Sequence, residues 1–150
     1  MSTFKENLNT LARFCAYQER CKQDVLKKMS EIGVLPDEKE NLLQQLIEEK
    51  FFDEQRFAYA YVRGKFKINQ WGKNKIKAGL YQKGVAYPFI ENALSQIDEE
   101  AYLQLAKNLA EKQIPKIKAQ NKGQLIQKLF FHLSQKGFES EVIRKAMENK

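Results

Sequence analysis

Three times along this chain of 150 residues a helical pattern closes in the same phrase, an apolar residue, three residues of any type, a glycine and a second apolar residue. The copies read Val25-x3-Met29-x3-Gly33-Val34, Ile76-x3-Leu80-x3-Gly84-Val85 and Leu129-x3-Leu133-x3-Gly137-Phe138, with glycines 51 and 53 residues apart. The last two copies share a dipeptide, Lys83-Gly84 and Lys136-Gly137. Self-similarity at this period marks a tandem repeat. Units this small bury little surface alone and are expected to pack on their neighbours.

The spacing of apolar residues predicts three helices per unit, each following i, i+3, i+4. The first unit offers Phe4, Leu8, Leu11, Ala12 and Cys15, then Val25, Met29 and Ile32, then Leu42, Leu43, Leu46 and Ile47. Matching faces in the second are Phe57, Ala58, Tyr61 and Val62, then Ile76 and Leu80, then Ile90, Ala93, Leu94 and Ile97. The third gives Tyr102, Leu105, Ala106 and Leu109, then Leu125, Ile126, Leu129 and Leu133, then Ile143, Ala146 and Met147. No stretch alternates as a strand would. The expected fold is therefore all-α, three tandem three-helix repeats at residues 1–52, 53–97 and 98–150. Gly33, Gly84 and Gly137 read as helix stops in the left-handed conformation, with Lys83 and Lys136 set against the negative helix ends. Asp37 with Glu40, Asp53, Asp98 and Ser140 read as helix caps, and Pro88 suits a first turn. The stretches Asn69-Gln70-Trp71-Gly72 and Gln113-Ile114-Pro115 read as connections or kinks.

Charge is distributed unevenly around a net +7. Residues 1–54 hold 8 basic and 11 acidic side chains. Residues 55–90 hold Arg56, Arg63, Lys65, Lys67, Lys73, Lys75, Lys77 and Lys83 and no acid at all. After an acidic interval, residues 112–138 carry Lys112, Lys116, Lys118, Lys122, Lys128 and Lys136, again without an acid. Lysines mixed with acids are an ordinary solvated helix face. Two acid-free windows at equivalent places in successive repeats instead suggest one positive stripe, the footprint of an anionic polymer. Phe57, Tyr59, Tyr61, Phe66, Trp71, Tyr81 and Tyr87 interleave with the first window and raise the question of base stacking. Phe57 and Tyr61 are more simply core. Trp71, beside Gly72 in a connection, is the aromatic contact candidate, with packing between repeats as its alternative.

Several function classes find no support. No apolar run approaches the roughly 18 residues that span a bilayer, and the first residues, Met1 to Glu6, lack a secretory pattern, so a cytoplasmic protein is expected. Cys15 and Cys21 are separated by about 600° of helical rotation and read as free thiols. A single histidine, His132, assembles no multi-histidine metal site. Gly72-Lys73-Asn74 resembles the end of a phosphate loop, but Lys67 stands where the first glycine belongs and Asn74 where Ser or Thr would bind magnesium. Neither enzyme, cofactor nor metal is expected.

The run Phe51-Phe52-Asp53-Glu54-Gln55-Arg56-Phe57-Ala58, then Tyr61-Val62-Arg63, then Trp71-Gly72-x3-Ile76-x3-Leu80-x2-Lys83-Gly84-Val85 closely resembles the RecX family. The likeness extends from Leu11-Ala12-Arg13 to Lys136-Gly137-Phe138-x4-Ile143-Arg144. It implies a curved, elongated molecule that regulates the RecA recombinase in DNA repair, recombination and the SOS response. Such proteins bind the RecA filament on single-stranded DNA, lie in its groove, and restrain filament growth, ATP hydrolysis and strand exchange. On this resemblance the tract of Arg63, Lys65, Lys67, Lys73, Lys75 and Lys77 is the candidate contact surface, and the charge windows and the aromatic reading add Trp71, Lys83, Lys116, Lys118 and Lys122. They fit either acidic recombinase surface or DNA, single-stranded or double-stranded. The tract is lysine-rich where many relatives use arginine, which favours diffuse attraction over bidentate recognition. A monomer is expected. Two alternatives stay open, an independent DNA- or RNA-binding protein built of helix-turn-helix-like units and a protein scaffold whose charge only steers association.

Overall fold

A computed structural model describes residues 2–148; the expected outer repeats also include residues 1, 149 and 150, which lie outside the described residues. Nine α-helices and no strand are found among the described residues. They are α1 (Phe4–Tyr17), α2 (Lys22–Glu31), α3 (Lys39–Glu48), α4 (Glu54–Lys67), α5 (Lys73–Gln82), α6 (Tyr87–Leu94), α7 (Glu99–Gln113), α8 (Lys122–Gln135) and α9 (Ser140–Ala146). Short 3-10 turns at Pro36–Glu38 and Ile114–Lys116 lead into α3 and out of α7.

The repeated glycine phrase is a Schellman stop. At Gly33 (φ 80°), Gly84 (φ 79°) and Gly137 (φ 101°) the backbone is left-handed, which a side chain disfavours. The next residue's N–H donates five residues back, Val34 to Met29 at 2.9 Å, Val85 to Leu80 at 3.1 Å and Phe138 to Leu133 at 3.2 Å. The apolar residues of the phrase are these bonded pairs, and all six are buried. A fourth stop, at the end of α3, has the same bonds without a glycine. Lys50 takes φ 62° and Phe51 N–H donates to Leu46 O at 2.9 Å.

By packing, the chain forms two compact units. One runs to Ala60 and takes in Leu80–Asn92; the other holds Tyr61–Gly79 and the chain from Ala93 on. In the first, α1, α2 and α3 pack on one another around fully buried Leu11, Val25, Met29, Leu42 and Leu46. Cys15 and Cys21 are buried free thiols, and burial raises both above the ordinary thiol range. In the second, α7, α8 and α9 enclose Tyr102, Leu129, Leu133, Phe138 and Ile143, with the Tyr102 and Phe138 rings 5.3 Å apart.

Arg56 ties the first unit together. Its Nε donates to both carboxylate oxygens of Glu19 at 2.8 and 2.7 Å, while Nη1 and Nη2 donate to the carbonyls of Lys50 and Phe51 at 3.2 Å each. The guanidinium thus joins the end of α1 to the glycine-free stop of α3. Because the pair is partly solvated, Arg56→Ala is expected to cost about 1–2 kcal/mol in urea denaturation. A change under about 0.3 kcal/mol would show that solvent competes the clamp away.

Some local expectations are corrected. Asp37 and Glu40 form no capping box, because Pro36 starts a 3-10 turn and places Glu38 at the N-cap of α3. Ser140 is the first helical residue of α9, and Glu139 takes the cap position with its carboxylate turned to Tyr102. Asp53 and Asp98 do cap, accepting from Arg56 N–H and Ala101 N–H at 2.9 Å. Phe4, Ile47 and Ile126 are 38, 44 and 41% exposed, since they stand at the margins of apolar stripes broader than the surfaces that cover them.

Candidate nucleic-acid interface

In the second unit the connection from α4 to α5 meets the helix stop at the end of α8. Gly72 N–H donates to Lys136 O at 2.8 Å and Asn74 N–H to Gly137 O at 2.9 Å. Between them, Lys73 N–H donates to the Tyr102 hydroxyl at 2.8 Å, and that hydroxyl donates to the Glu139 carboxylate in a short bond. Burial, then the bond to Glu139, raises the Tyr102 phenol far above its usual range, so it remains a donor. Three successive amides at the start of α5 therefore find partners inside the protein. With these three amides engaged, attraction for an anion falls chiefly to the side chains around the helix start.

Glycine makes the approach possible. A Cβ on Gly72 would overlap the backbone of Gly137 and Phe138, and one on Gly137 would overlap Lys75. This contact joins the two acid-free basic windows, which lie far apart in the chain.

Trp71 stands at the junction, half-buried. The Lys65 ammonium, from the last turn of α4, lies 4.7 Å from its ring centroid; the Lys75 ammonium, from the first turn of α5, lies at 4.5 Å. Lys136 donates to Asn69 O at 3.3 Å, and burial together with the charge of Lys75 lowers its affinity for a proton. Lys116 acts on His132, one turn before Lys136. The structure thus gathers Lys65, Trp71, Lys75, Lys136 and Lys116 in one neighbourhood. The unit as a whole holds 16 basic and 7 acidic side chains, against 10 and 12 in the other.

The remaining candidates are placed differently. Lys73 has its ammonium 4.7 Å over the Tyr102 ring and 3.0 Å from a Glu99 oxygen, with 19% side-chain exposure, so its charge is engaged internally. Arg63 and Lys67 are exposed on α4, Lys77 on α5, and Lys122 at the start of α8. Lys118 is exposed in the α7–α8 connection, its carbonyl accepting from Lys128 Nζ at 2.6 Å. Lys83 belongs to the other unit. Lys136 was visible in the sequence as a helix-end charge and as the last cation of the second acid-free window, but was not among the candidate contacts. Tyr102 and Glu139, which hold the start of α5, carried no such signal.

Burial, then the charges of Lys136 and Lys116, hold His132 below its ordinary 6.5. The folded protein therefore binds fewer protons here than the unfolded chain, and stability is expected to fall as pH drops below about 6.5. A polyanion seated on Lys116 and Lys136 opposes that bias, so its affinity is expected to rise between about pH 7.5 and 6. Titrating binding across this range checks it, and His132→Gln is expected to flatten the profile. An unaltered profile in H132Q would assign the dependence to another group.

Comparison with known proteins places these features in context. Residues 53–94 match the family model described as RecX, second three-helix domain, and residues 99–147 match RecX, third three-helix domain. The chain is similar to the regulatory protein RecX of Enterococcus faecalis, 27% identical over 148 residues, covering 99% of this chain and 56% of that protein. It is similar to regulatory protein RecX of Limosilactobacillus reuteri, 33% identical over 129 residues, covering 86% of this chain and 49% of that one. The chain thus spans about half the length of these curated relatives. A crystal structure of regulatory protein RecX superposes with a TM-score of 0.84 at 28% identity, covering 97% of this chain and 75% of that one. No helix among the described residues is long and apolar enough to cross a membrane.

Proposed function

The chain belongs to the RecX family, and on that footing we propose that it is a nonenzymatic cytoplasmic inhibitor of the RecA recombinase, bound in the groove of the filament on single-stranded DNA. The observation that carries this reading is the junction of the two acid-free windows at Gly72 and Gly137, which concentrates Lys65, Lys75 and Lys136 around Trp71. Lysines gathered against their mutual repulsion, with few acids near them, suit a partner of high negative charge density. An aromatic ring among them adds a stacking surface for a base.

Three units, residues 1–52, 53–97 and 98–150, would each contribute modest contacts that add where their spacing matches the repetition of the filament. Restraint of filament growth, ATP hydrolysis and strand exchange follows from a ligand that spans several subunits and resists their rearrangement. A nucleic-acid binder acting alone remains the second reading, favoured by the same pairing of Trp71 with lysines.

Trp71 is the sole tryptophan, so its fluorescence reports on the site. Titration with RecA assembled on single-stranded DNA is expected to shift its emission and saturate at concentrations about tenfold lower than the strand alone at roughly 0.2 M salt, where phosphate contacts are weakened. Equal affinity for the bare strand under those conditions would favour the independent nucleic-acid binder.

A further inference from the structure

The first unit is acidic in balance, yet it contains a basic cleft of about 400 Å³. Arg20, Lys27, Lys28 and Lys83 line it, against Asp24 and Glu31. The cations come from three places: the turn after α1, the exposed side of α2, and the end of α5. Asp24 is partly committed, its carboxylate accepting from Cys21 N–H at 3.3 Å. Arg20 is held in position by uncharged partners. Its guanidinium carbon lies 3.8 Å from the Phe14 ring centroid and its Nε donates to Phe14 O at 3.0 Å. Among the described residues no carboxylate lies within ion-pair distance of Arg20, Lys27, Lys28 or Lys83. Capping the end of α1 explains the Nε bond but not the gathering of three lysines beside it.

From this gathering we propose that the cleft is a phosphate site, taking the phosphodiester backbone of a single nucleic-acid strand. Arg20 supplies a planar donor edge oriented before the ligand arrives, and the lysines supply diffuse charge. Tyr17 selects the strand over free phosphate as the ligand. It closes α1, is 82% exposed, and has the Arg20 guanidinium 5.9 Å over its ring, so an open aromatic side chain stands next to one of the cleft's cations. Cations tracking a backbone next to an exposed ring are what a base-stacking strand requires. Lys83 thereby gains a role apart from the other cations of its sequence window. The proposal rests on the reading that this protein meets single-stranded DNA, but it does not depend on the recombinase.

The test is anisotropy of a labelled oligothymidylate of about 20 nucleotides, measured over graded salt with the full chain. In a Lys65→Glu/Lys75→Glu background, salt-dependent binding is expected to persist. Adding Arg20→Ala is expected to weaken it about tenfold and to reduce the salt slope by ~0.7 for each phosphate that is no longer neutralised. Because Arg20 also supports α1, Lys28→Gln/Lys83→Gln, which disturbs no backbone bond, is expected to act in the same direction. Affinities and slopes unchanged by both sets of substitutions would overturn the site. Displacement of the strand by micromolar inorganic pyrophosphate would overturn the strand as its ligand. Strand binding that depends on Arg20 while recombinase ATP hydrolysis is untouched would leave the cleft standing and remove the proposed function. Filament inhibition that persists while strand binding is unchanged by every cleft substitution would do the opposite.

Discussion

Gly72→Ala is expected to lower stability by about 3 kcal/mol or more, and the melting temperature by about 6–12 °C, more than any other single methyl addition at a glycine outside the helix stops. The added Cβ would overlap the backbone of Gly137 and Phe138, where no flexible side chain can move aside. Relief requires separating the two segments, which stretches the bonds from Gly72 N–H to Lys136 O and from Asn74 N–H to Gly137 O. Two other glycines provide controls. Gly33 has φ 80° but open space around a Cβ, so Gly33→Ala is expected to cost only the left-handed backbone term, about 1–2 kcal/mol. Gly64 lies within α4 with nothing within 4 Å of a Cβ, and Gly64→Ala is expected to stabilise by about 0.5–1 kcal/mol. Thermal and urea denaturation followed by circular dichroism measures all three. A Gly72→Ala protein within about 1 kcal/mol of the parent would mean that the segments separate without penalty.

Reversing Lys65 and Lys75 together to Glu is expected to reduce affinity for the filament on the order of 100-fold at ~0.1 M salt, with little loss of stability. Both ammonium groups lie within 5 Å of the Trp71 ring centroid, so each reversal removes an attractive charge and installs a repulsive one at the same place. Lys73→Glu is expected to behave differently. It would set a carboxylate against Glu99 and over the face of Tyr102, so destabilisation should accompany any loss of binding. Binding by the K65E/K75E protein within about threefold of the parent would remove the Trp71 cluster from the interface.

The helices were legible because their signals are local. The Met29-x3-Gly33-Val34 phrase encodes both bonds of a Schellman stop, so its three copies mark the second-helix ends of successive repeats directly. The stop at Lys50 gives no such signal because a lysine occupies the left-handed position, held by Arg56 from the next helix. Thr3 and Glu6, which were not among the expected caps, form a capping box in both directions at 3.3 and 3.1 Å. Asp37 and Ser140 misled because several positions near a helix start satisfy the same pattern, and packing decides among them.

The site was legible only in composition. The charge windows include the two segments that meet at Gly72 and Gly137, but helical period identifies a buried face without saying which segment will meet it. The meeting of Gly72 with Gly137 depends on the absence of two side chains, and the Tyr102–Glu139 support on residues 37 apart. Lys73 and Lys75 read alike in the sequence, yet Glu99 engages one while the other lies over Trp71. Lys83 shares a window with them but lines a cleft with Arg20, because α5 passes from one compact unit into the other.

Filament binding is tested most directly by ATP hydrolysis of RecA assembled on single-stranded DNA, titrated with the whole chain at fixed moderate salt. Inhibition at amounts well below one chain per recombinase subunit, relieved by K65E/K75E, is the expected result. No inhibition until the chain saturates the DNA would contradict filament binding and reduce the effect to competition for phosphates.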